Sequence, residues 1–475
     1  MDYHRHIGAG RFGQFEGALM MNALIDQFAQ APNMPKTLVV GLGVTGLSVA
    51  RHLHKRGRPF AVIDSREQPP GIQELQSEMP DVPVFLGAFD AELFEMGDRL
   101  IVSPGIALST PEIKAAIESG AEVMGDIELF ARAVNAPVVA ITGSNGKSTV
   151  TTLVGEMAKA AGRHVAVGGN LGIPALDLIQ PDVDLYVLEL SSFQLESTHS
   201  LAPAVSCVLN IQADHMDRYD SIEDYAEAKA TIYRHAMVGI RNADDPRVMA
   251  MLADDEGWTF SNGKPTSDKS FGIAEHEGEA YFCRGELPFM PVSQLRIPGK
   301  HNQANALAAL AIGCSMGFPP NVMAEVLREF PGLPHRTQYV AEKDGVRWYN
   351  DSKATNVGAT AAALLGLYND QANAVVLLGG DCKGADLTEL TPILDKTARA
   401  VVLMGRDAKQ IAAVIPSSCE VRDAENMQQA VELAHQLAKP GDHVLLSPAC
   451  ASLDQYKNFS QRGEMFVAAV RRLLS

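Results

Sequence analysis

Positive charge is in short supply. Lys and Arg total 40 against 57 Asp and Glu in 475 residues, a formal charge of −17 at neutral pH. A chain that coats nucleic acid needs a positive face for the phosphates, so no nucleic-acid partner is expected. Any polyanion must be held by local Lys and Arg side chains and backbone amides. Cysteine is sparse and scattered: Cys207, Cys283, Cys314, Cys382, Cys419 and Cys450 form no CxxC pair. That pattern leaves neither a disulfide framework nor a zinc site and suits a reducing cytoplasm. Apolar runs fall short of the roughly 18–20 residues of a membrane span. The mildly apolar stretch Phe15–Ile25 is flanked by glycine and polar residues and lacks a small-residue cleavage site, so residues 1–35 read as an N-terminal extension. No repeat of 20–50 residues and no low-complexity tract interrupts the chain. A soluble, cytoplasmic monomer is expected.

Apolar residues make up 46% of the sequence, enough for several packed cores. Three α/β segments follow one another. Thr37-Leu-Val-Val40 runs into Gly41-Leu-Gly-Val-Thr-Gly46, a helical pattern Leu47–Leu53, and a second strand Phe60–Ile63 ending at Asp64. Further strands are expected at Arg99–Val102 and near Ala121–Met124. The second segment begins after Asn135-Ala-Pro137, with strands at Val138–Ile141, His164–Val167, Leu185–Leu188 and Val205–Leu209 and a helix ending near Ala161. Such near-continuous apolar runs predict a parallel sheet covered on both faces. The polar stretch Asp254–Ser270 reads as a surface excursion with a small hairpin. The third segment starts near Gly332-Leu-Pro334, with strands at Ala374–Leu378, Ala400–Met404 and His443–Leu446. The expected fold is α/β in three linked domains: a Rossmann-like domain over 36–126, a central P-loop ATPase-type parallel sheet over 127–332, and a Rossmann-like domain over 333–475.

Gly41-x-Gly43-x-x-Gly46 lies between a strand and a helix, where glycines allow a tight turn and bring backbone amides close to a phosphate. Asp64 follows near the position of a ribose-binding acid. A nucleotide or pyrophosphate ligand is the favoured reading over a bare turn, and the motif alone does not specify NAD. Gly143-Ser-Asn-Gly-Lys-Ser-Thr149 has the same strand-to-helix setting. Its amides can wrap phosphate oxygens, Lys147 can bridge them, and a hydroxyl of Ser148 or Thr149 can reach Mg²⁺. Ile141 stands where the commonest phosphate-loop pattern has its first glycine, yet the context and the Gly-Lys-Ser core point to ATP. Glu189, Ser191 and Ser192 end one apolar strand, and Asn210-Ile-Gln-Ala-Asp214-His215-Met-Asp217-Arg-Tyr219 follows the next. Loops at the carboxyl ends of parallel strands gather ligands, and oxygen donors with His suit Mg²⁺ or Mn²⁺. Taken singly, each stretch could equally be a helix cap or a solvated turn. Lys229, in the helical stretch Tyr225–Tyr233, reads on composition as a surface lysine.

Thr142–Thr149, Leu188-Glu-Leu-Ser-Ser-Phe-Gln194 and Asp214-His-Met-Asp-Arg-Tyr219 resemble the Mur ligases. Gly332-Leu-Pro-His-Arg336, Asn350-Asp-Ser-Lys-Ala-Thr-Asn-Val-Gly358, Leu378-Gly-Gly-Asp-Cys-Lys383 and Leu446-Ser-Pro-Ala-Cys-Ala-Ser-Leu-Asp454 are closest to the D-glutamate-adding members of that family. The resemblance runs from about residue 36 to the end. The N-terminal extension and Cys382 depart from the pattern. It implies ATP-dependent addition of D-glutamate to UDP-N-acetylmuramoyl-L-alanine, with an acyl phosphate formed on the alanyl carboxylate. Val44, Thr45, Asp64, Arg66 and Gly105 would line the uridine and pyrophosphate site, with Asn170, Ser191 and Gln194 on the sugar side. Gly143, Ser144, Asn145, Gly146, Lys147, Ser148, Thr149, Asn302, Asn305, Arg336, Asp351 and Lys353 would hold ATP. Thr355, Lys383, Ser452, Leu453 and Phe459 would hold D-glutamate.

Catalysis would rest on Lys147, Glu189, His215 and Lys229, and two Mg²⁺ ions would take Ser148, Thr149, Glu189, His215 and Lys229 as ligands. Lys229 would be buried and carbamylated by CO₂, so that it offers anionic oxygens instead of a like charge beside the metals. Rival readings are a sister ligase of the same family, a folylpolyglutamate synthase-type ligase, an NAD-dependent oxidoreductase, and a regulatory protein with a decayed site. The glycine fingerprint disfavours the folate enzyme, the Ser447–Asp454 stretch other family members, the loop at 143–149 the oxidoreductase, and the intact Lys147, Glu189 and His215 the decayed site.

Overall fold

In the computed structural model, residues 36–253, 257–297, 299–368 and 370–474 are described. Their β-branched runs become strands in three mostly parallel sheets. The extension expected over 1–35, with Phe15–Ile25, lies outside the described residues. The chain divides into two compact units, one built from residues up to 142 with 164–206 and 227–237, the other from 143–163, 207–226 and 238–475.

In the first unit, Thr37–Val40 (β1), Ala61–Asp64 (β2), Val84–Leu86 (β3), Arg99–Val102 (β4) and Glu122–Met124 (β5) form a parallel sheet in the order β3-β2-β1-β4-β5. Every residue of β1 and β2 is buried, as a strand covered on both faces requires. Phe60, expected to open β2, is buried just ahead of it, and Ala61 is the first residue in register with β1, opposite Leu38. The helix Val44–Lys55 starts from an extended Gly43. Gly41 has φ +93°, and a Cβ at Gly46 would overlap the Gly41 carbonyl oxygen, so the turn itself requires these two glycines, whereas a Cβ at Gly43 would meet open space. In the same unit Leu185–Glu189 (β8) lies between Val138–Thr142 (β6) and Val165–Gly169 (β7), parallel to both. Val205–Val208 (β9) passes from the first unit into the second.

The second unit holds Val238–Asn242 (β10), Trp258–Phe260 (β11) and Ser270–His276 (β12) as a parallel run, continued by the antiparallel Glu279–Arg284 (β13) and Leu287–Pro291 (β14). The polar stretch before Ser270 therefore contains a strand, half-buried at Trp258 and Thr259 and buried at Phe260, and the hairpins lie beyond it. Trp258 stacks on Phe271 at 5.7 Å with Arg284 over its ring at 4.7 Å. Its exposed serine-rich turn masked these apolar anchors. The remaining sheet, ordered β15-β16-β20-β17-β18-β19, is built from Gln338–Lys343 (β15), Val346–Asn350 (β16), Ala374–Gly379 (β17), Ala398–Met404 (β18), Glu420–Asp423 (β19) and His443–Leu446 (β20). Only β15–β16 is antiparallel among these pairs. Helices Val357–Leu367 and Leu390–Thr397 cover one face around Leu378 and Leu403, and Met427–Leu437 and Phe459–Leu474 cover the other around Trp348 and Phe466.

Candidate active site

The phosphate loop links β6 to the helix Lys147–Ala160. Gly143 and Gly146 have φ +149° and +85°, and a Cβ at Gly146 would run into the Asn305 side chain. Asn210 holds the loop open: its carbonyl accepts from the Ser144 amide at 2.9 Å and its Oδ1 from the Asn145 amide at 2.9 Å. Gln212 joins in, accepting from Asn145 Nδ2 at 2.7 Å, while its own amide donates to Ser144 Oγ at 2.9 Å. Lys147 Nζ donates to the carbonyls of Gly143 and Ser144 at 2.8 and 2.9 Å. The ammonium thus lies over the loop whose amides a phosphate would face, at a helix N-terminus whose first amides have no intrahelical acceptor.

A cavity of about 160 Å³ opens beside this loop. Asn145, Gly146 and Thr149 form one part of its wall, Asn302 and Asn305 from the helix Lys300–Ser315 another, and Arg336, Asp351 and Lys353 a third. Eight of the expected ATP contacts therefore meet in one place. Arg336 Nη2 donates to Ser148 Oγ at 2.6 Å, so this hydroxyl already has a cationic partner. Asp351 accepts from the Thr337 amide at 2.9 Å and from Ser447 Oγ at 2.7 Å. Burial pushes its carboxyl up to about 7 against the pull of those donors and Arg336.

The loops expected to hold D-glutamate follow the carboxyl ends of β16, β17 and β20, which are neighbours in the order β16-β20-β17. The Gly379 amide donates to the Pro448 carbonyl at 3.0 Å, and Asp381 and Ala451 pair as an antiparallel bridge. Ser452 is buried, Lys383, Leu453 and Thr355 are exposed, and Lys353 Nζ lies 4.0 Å over the Phe459 ring. His335, Thr337, Lys383 and Ala449 are non-glycine residues with φ between +45° and +63°. Backbone strain of this kind gathers where surrounding structure over-determines a loop.

The Arg462 side chain, 1% exposed, binds all three loops from beneath. It donates to the Ser352 hydroxyl at 3.0 Å and carbonyl at 2.8 Å, to the Cys450 carbonyl at 3.1 Å and to the Gly379 carbonyl at 3.4 Å. Sequence reasoning missed it. A lone Arg inside an amphipathic helix looks like any solvated arginine, and only its place on the buried face distinguishes it.

In the first unit Glu189 ends β8 and is 3% exposed. Asn170 Nδ2 donates to its Oε1 at 2.8 Å, and its Oε2 is buried with no hydrogen-bond partner. Lys229, near the end of the helix Ile222–Ala230, is 2% exposed and donates to Thr142 Oγ1 at 3.3 Å. The surface lysine read from composition is thus a buried one. Ser191 caps the helix Ser192–Glu196 in a reciprocal box with Gln194, whose Nε2 donates to the buried Asp126 at 3.0 Å. Asp64 accepts from the Leu42 amide at 2.6 Å and from Arg66 Nε and Nη2 at 2.8 and 2.7 Å. Burial raises this carboxyl, but Arg66 and the amides outweigh it and hold it below the usual carboxylate range. Asp64 therefore braces the glycine turn and aims Arg66. Val44 and Gly105 are exposed beside that turn, with Thr45 half-buried. His215, with φ +58°, is half-buried next to Asp214 in the second unit.

A buried carboxylate oxygen without a partner is the hard donor that Mg²⁺ takes, so Glu189 fits the expected ion. Among the described residues no three His, Cys, Asp or Glu side chains gather.

Three family models match successive parts of the chain: the "Mur ligase MurD-like, N-terminal domain" over 35–125, the "Mur ligase middle domain" over 141–313, and the "Mur ligase, glutamate ligase domain" over 335–450. The UDP-N-acetylmuramoylalanine–D-glutamate ligase of Nitrosococcus oceani is 51% identical over 92% of this chain and 97% of its own. Its counterpart in Pseudomonas aeruginosa is 50% identical over 92% and 98%. Among solved structures, the UDP-N-acetylmuramate–alanine ligase of Thermotoga maritima has a similar fold, with TM-score 0.59 and 19% identity over 93% of this chain and 100% of that one.

Proposed function

Since the chain belongs to the Mur ligase family, we propose that its phosphate-loop cavity takes ATP for the formation of an amide bond. The chain is an ATP-dependent ligase of peptidoglycan precursor synthesis that adds D-glutamate to UDP-N-acetylmuramoyl-L-alanine. In this reading residues 36–126 hold the UDP substrate through Val44, Thr45, Arg66 and Gly105, with Asp64 as brace and Asn170, Ser191 and Gln194 toward the sugar. Residues 127–332 carry ATP, and 333–475 carry D-glutamate through Thr355, Lys383, Ser452, Leu453 and Phe459. The protein works as a cytoplasmic monomer.

The chemistry sets anion against anion. The alanyl carboxylate attacks the γ-phosphate, and Lys147, already poised over the loop amides, neutralises the oxygens as their charge shifts. Glu189, Ser148, Thr149, His215 and a carbamylated Lys229 would hold Mg²⁺, which would supply further positive charge to the phosphates. An acyl phosphate turns a poor acylating group into a good one. The neutral amine of D-glutamate then attacks the acyl carbon and phosphate leaves. His215 assists near the acyl centre, as ligand or proton acceptor. Water would destroy the acyl phosphate, so closure over the bound substrates precedes chemistry.

The observation that carries this reading is the single cavity in which Gly146 and Thr149 meet Asn302, Asn305, Arg336, Asp351 and Lys353. Phosphate release measured with each candidate amino acid tests it. Release with D-glutamate and UDP-N-acetylmuramoyl-L-alanine together is expected. Equal release with another amino acid, or AMP and pyrophosphate as products, would refute it.

A further inference from the structure

Two thiols that this chemistry leaves unused face each other in the second unit. The Asp381 amide donates to the Ala451 carbonyl at 3.0 Å and the Ala451 amide to the Asp381 carbonyl at 2.9 Å. That exchange makes 381 and 451 a hydrogen-bonded antiparallel pair. The next pair along, 382 and 450, then lies opposite without backbone bonds of its own, the position where facing Cα atoms approach to about 4.5 Å and side chains are nearest. Both residues are cysteines. Cys382 and Cys450 are 4% and 1% exposed, both are free thiols, and their sulfurs are 2.6 Å apart. A disulfide needs sulfurs at about 2.05 Å and Cα atoms within about 4.4–6.8 Å. The backbone register meets the second demand, and the side chains fall about 0.5 Å short of the first. Arg462, bonded to the Cys450 and Gly379 carbonyls, holds both strands in this register.

We propose that Cys382 and Cys450 form a reversible dithiol–disulfide site whose oxidised form staples the Gly379–Lys383 loop to the Pro448–Ser452 loop. The oxidant is a small-molecule disulfide. A thiol buried from solvent does not meet a small disulfide, so the exchange begins on local opening from the exposed Lys383 side. The Cys382 thiol gives its proton to water, and its sulfur attacks the small disulfide, forming a mixed disulfide and releasing one small thiol. Cys450 gives its proton to water, its thiolate attacks Cys382 Sγ, the mixed bond breaks, and the second small thiolate leaves and takes a proton from water, as the first did. Two protein thiols are oxidised and one small disulfide is reduced to two thiols. The staple fixes the spacing between Lys383 and Ser452, so it alters D-glutamate binding. That consequence rests on the ligase reading, whereas the staple does not.

The test treats the native full-length chain with glutathione disulfide, caps remaining thiols, and maps peptides without reduction. A peptide linked through Cys382 and Cys450 is expected, absent from Cys382→Ala and from Cys450→Ser, and undone by dithiothreitol. In the oxidised protein the D-glutamate KM should move at least about threefold (roughly 0.65 kcal/mol at RT ln 3), with the ATP KM unchanged. No linked peptide in the native chain, when the same treatment in urea oxidises its cysteines, overturns the proposal. So does Cys382 carrying only glutathione. A linked peptide with an unmoved D-glutamate KM upholds the staple and counts against the placement of D-glutamate at Lys383 and Ser452.

Discussion

Lys229 is the position where local composition and the fold disagree. Its flanks Glu227 and Ala228 look like any solvated helix, yet the side chain is 2% exposed and reaches Thr142 at the end of β6. CO₂ adding to this amine would replace a cation with anionic oxygens, the hard donors that Mg²⁺ takes. Density for three extra non-hydrogen atoms on the amine is expected in an experimental structure, with severe loss of turnover in Lys229→Ala. An unmodified amine beside bound metal, together with an active Lys229→Ala enzyme, would contradict the carbamate. Lys383 is exposed, so its role is read through affinity. A charge-assisted hydrogen bond contributes about 1.5–3 kcal/mol, so Lys383→Ala should raise the D-glutamate KM by about 10- to 150-fold and leave the ATP KM within about threefold. Equal effects on both would point to folding or closure.

Glu128 makes a prediction about pH. Its carboxylate accepts from the amides of His199 and Ser200, the Ser200 hydroxyl and Arg132. Burial pushes the carboxyl up, but those donors outweigh it and bring it to about 2. A folded value below the unfolded one, 4.5, means that the stabilisation is complete above about pH 4.5 and is lost as pH falls through about 2. Urea midpoints of Glu128→Gln should lie below those of the wild type at pH 7 and converge on them toward pH 2. A constant gap across that range would assign the effect to packing.

Strands and turns were legible wherever one physical demand dominated. β1, β6, β8 and β20 were readable because buried parallel strands must be apolar on both faces, and the two glycine loops because only glycine fits them. The hairpin β15–β16 went unread, since Gln338–Lys343 is largely polar and half-exposed. β11 was hidden by the polar residues around it. Asn210 and Gln212 were legible as chemistry-bearing residues but not as what they are, braces for the phosphate loop, because sequence spacing does not reveal which amides a side chain will meet. At Gly146 the demand is sharpest. Left-handed backbone and the Asn305 side chain both exclude a Cβ, so Gly146→Ala should abolish detectable nucleotide binding by calorimetry while D-glutamate-independent folding, followed by circular dichroism, is kept. Nucleotide binding at wild-type strength would show that the loop does not carry the phosphates.

Across the whole chain, the α/β class, the phosphate loop and the motifs of the last segment could be read from residues alone. Asp64 is the instructive exception: its position matches a ribose-binding acid, yet both oxygens are taken by the turn and Arg66. Arg462 went unread for the opposite reason, since its importance lies in carbonyls brought together only by folding. Coupling between the substrates follows from the proposed chemistry, because the alanyl carboxylate must take the γ-phosphoryl group from ATP before its carbon can accept the D-glutamate amine and release phosphate. The most direct measurement is the stoichiometry of a single reaction with ATP, UDP-N-acetylmuramoyl-L-alanine and isotope-labelled D-glutamate. One ADP and one phosphate are expected for each labelled amide product, with no sustained ATP cleavage when either co-substrate is omitted. ATP turnover without labelled product, or labelled product without ADP, would contradict the account.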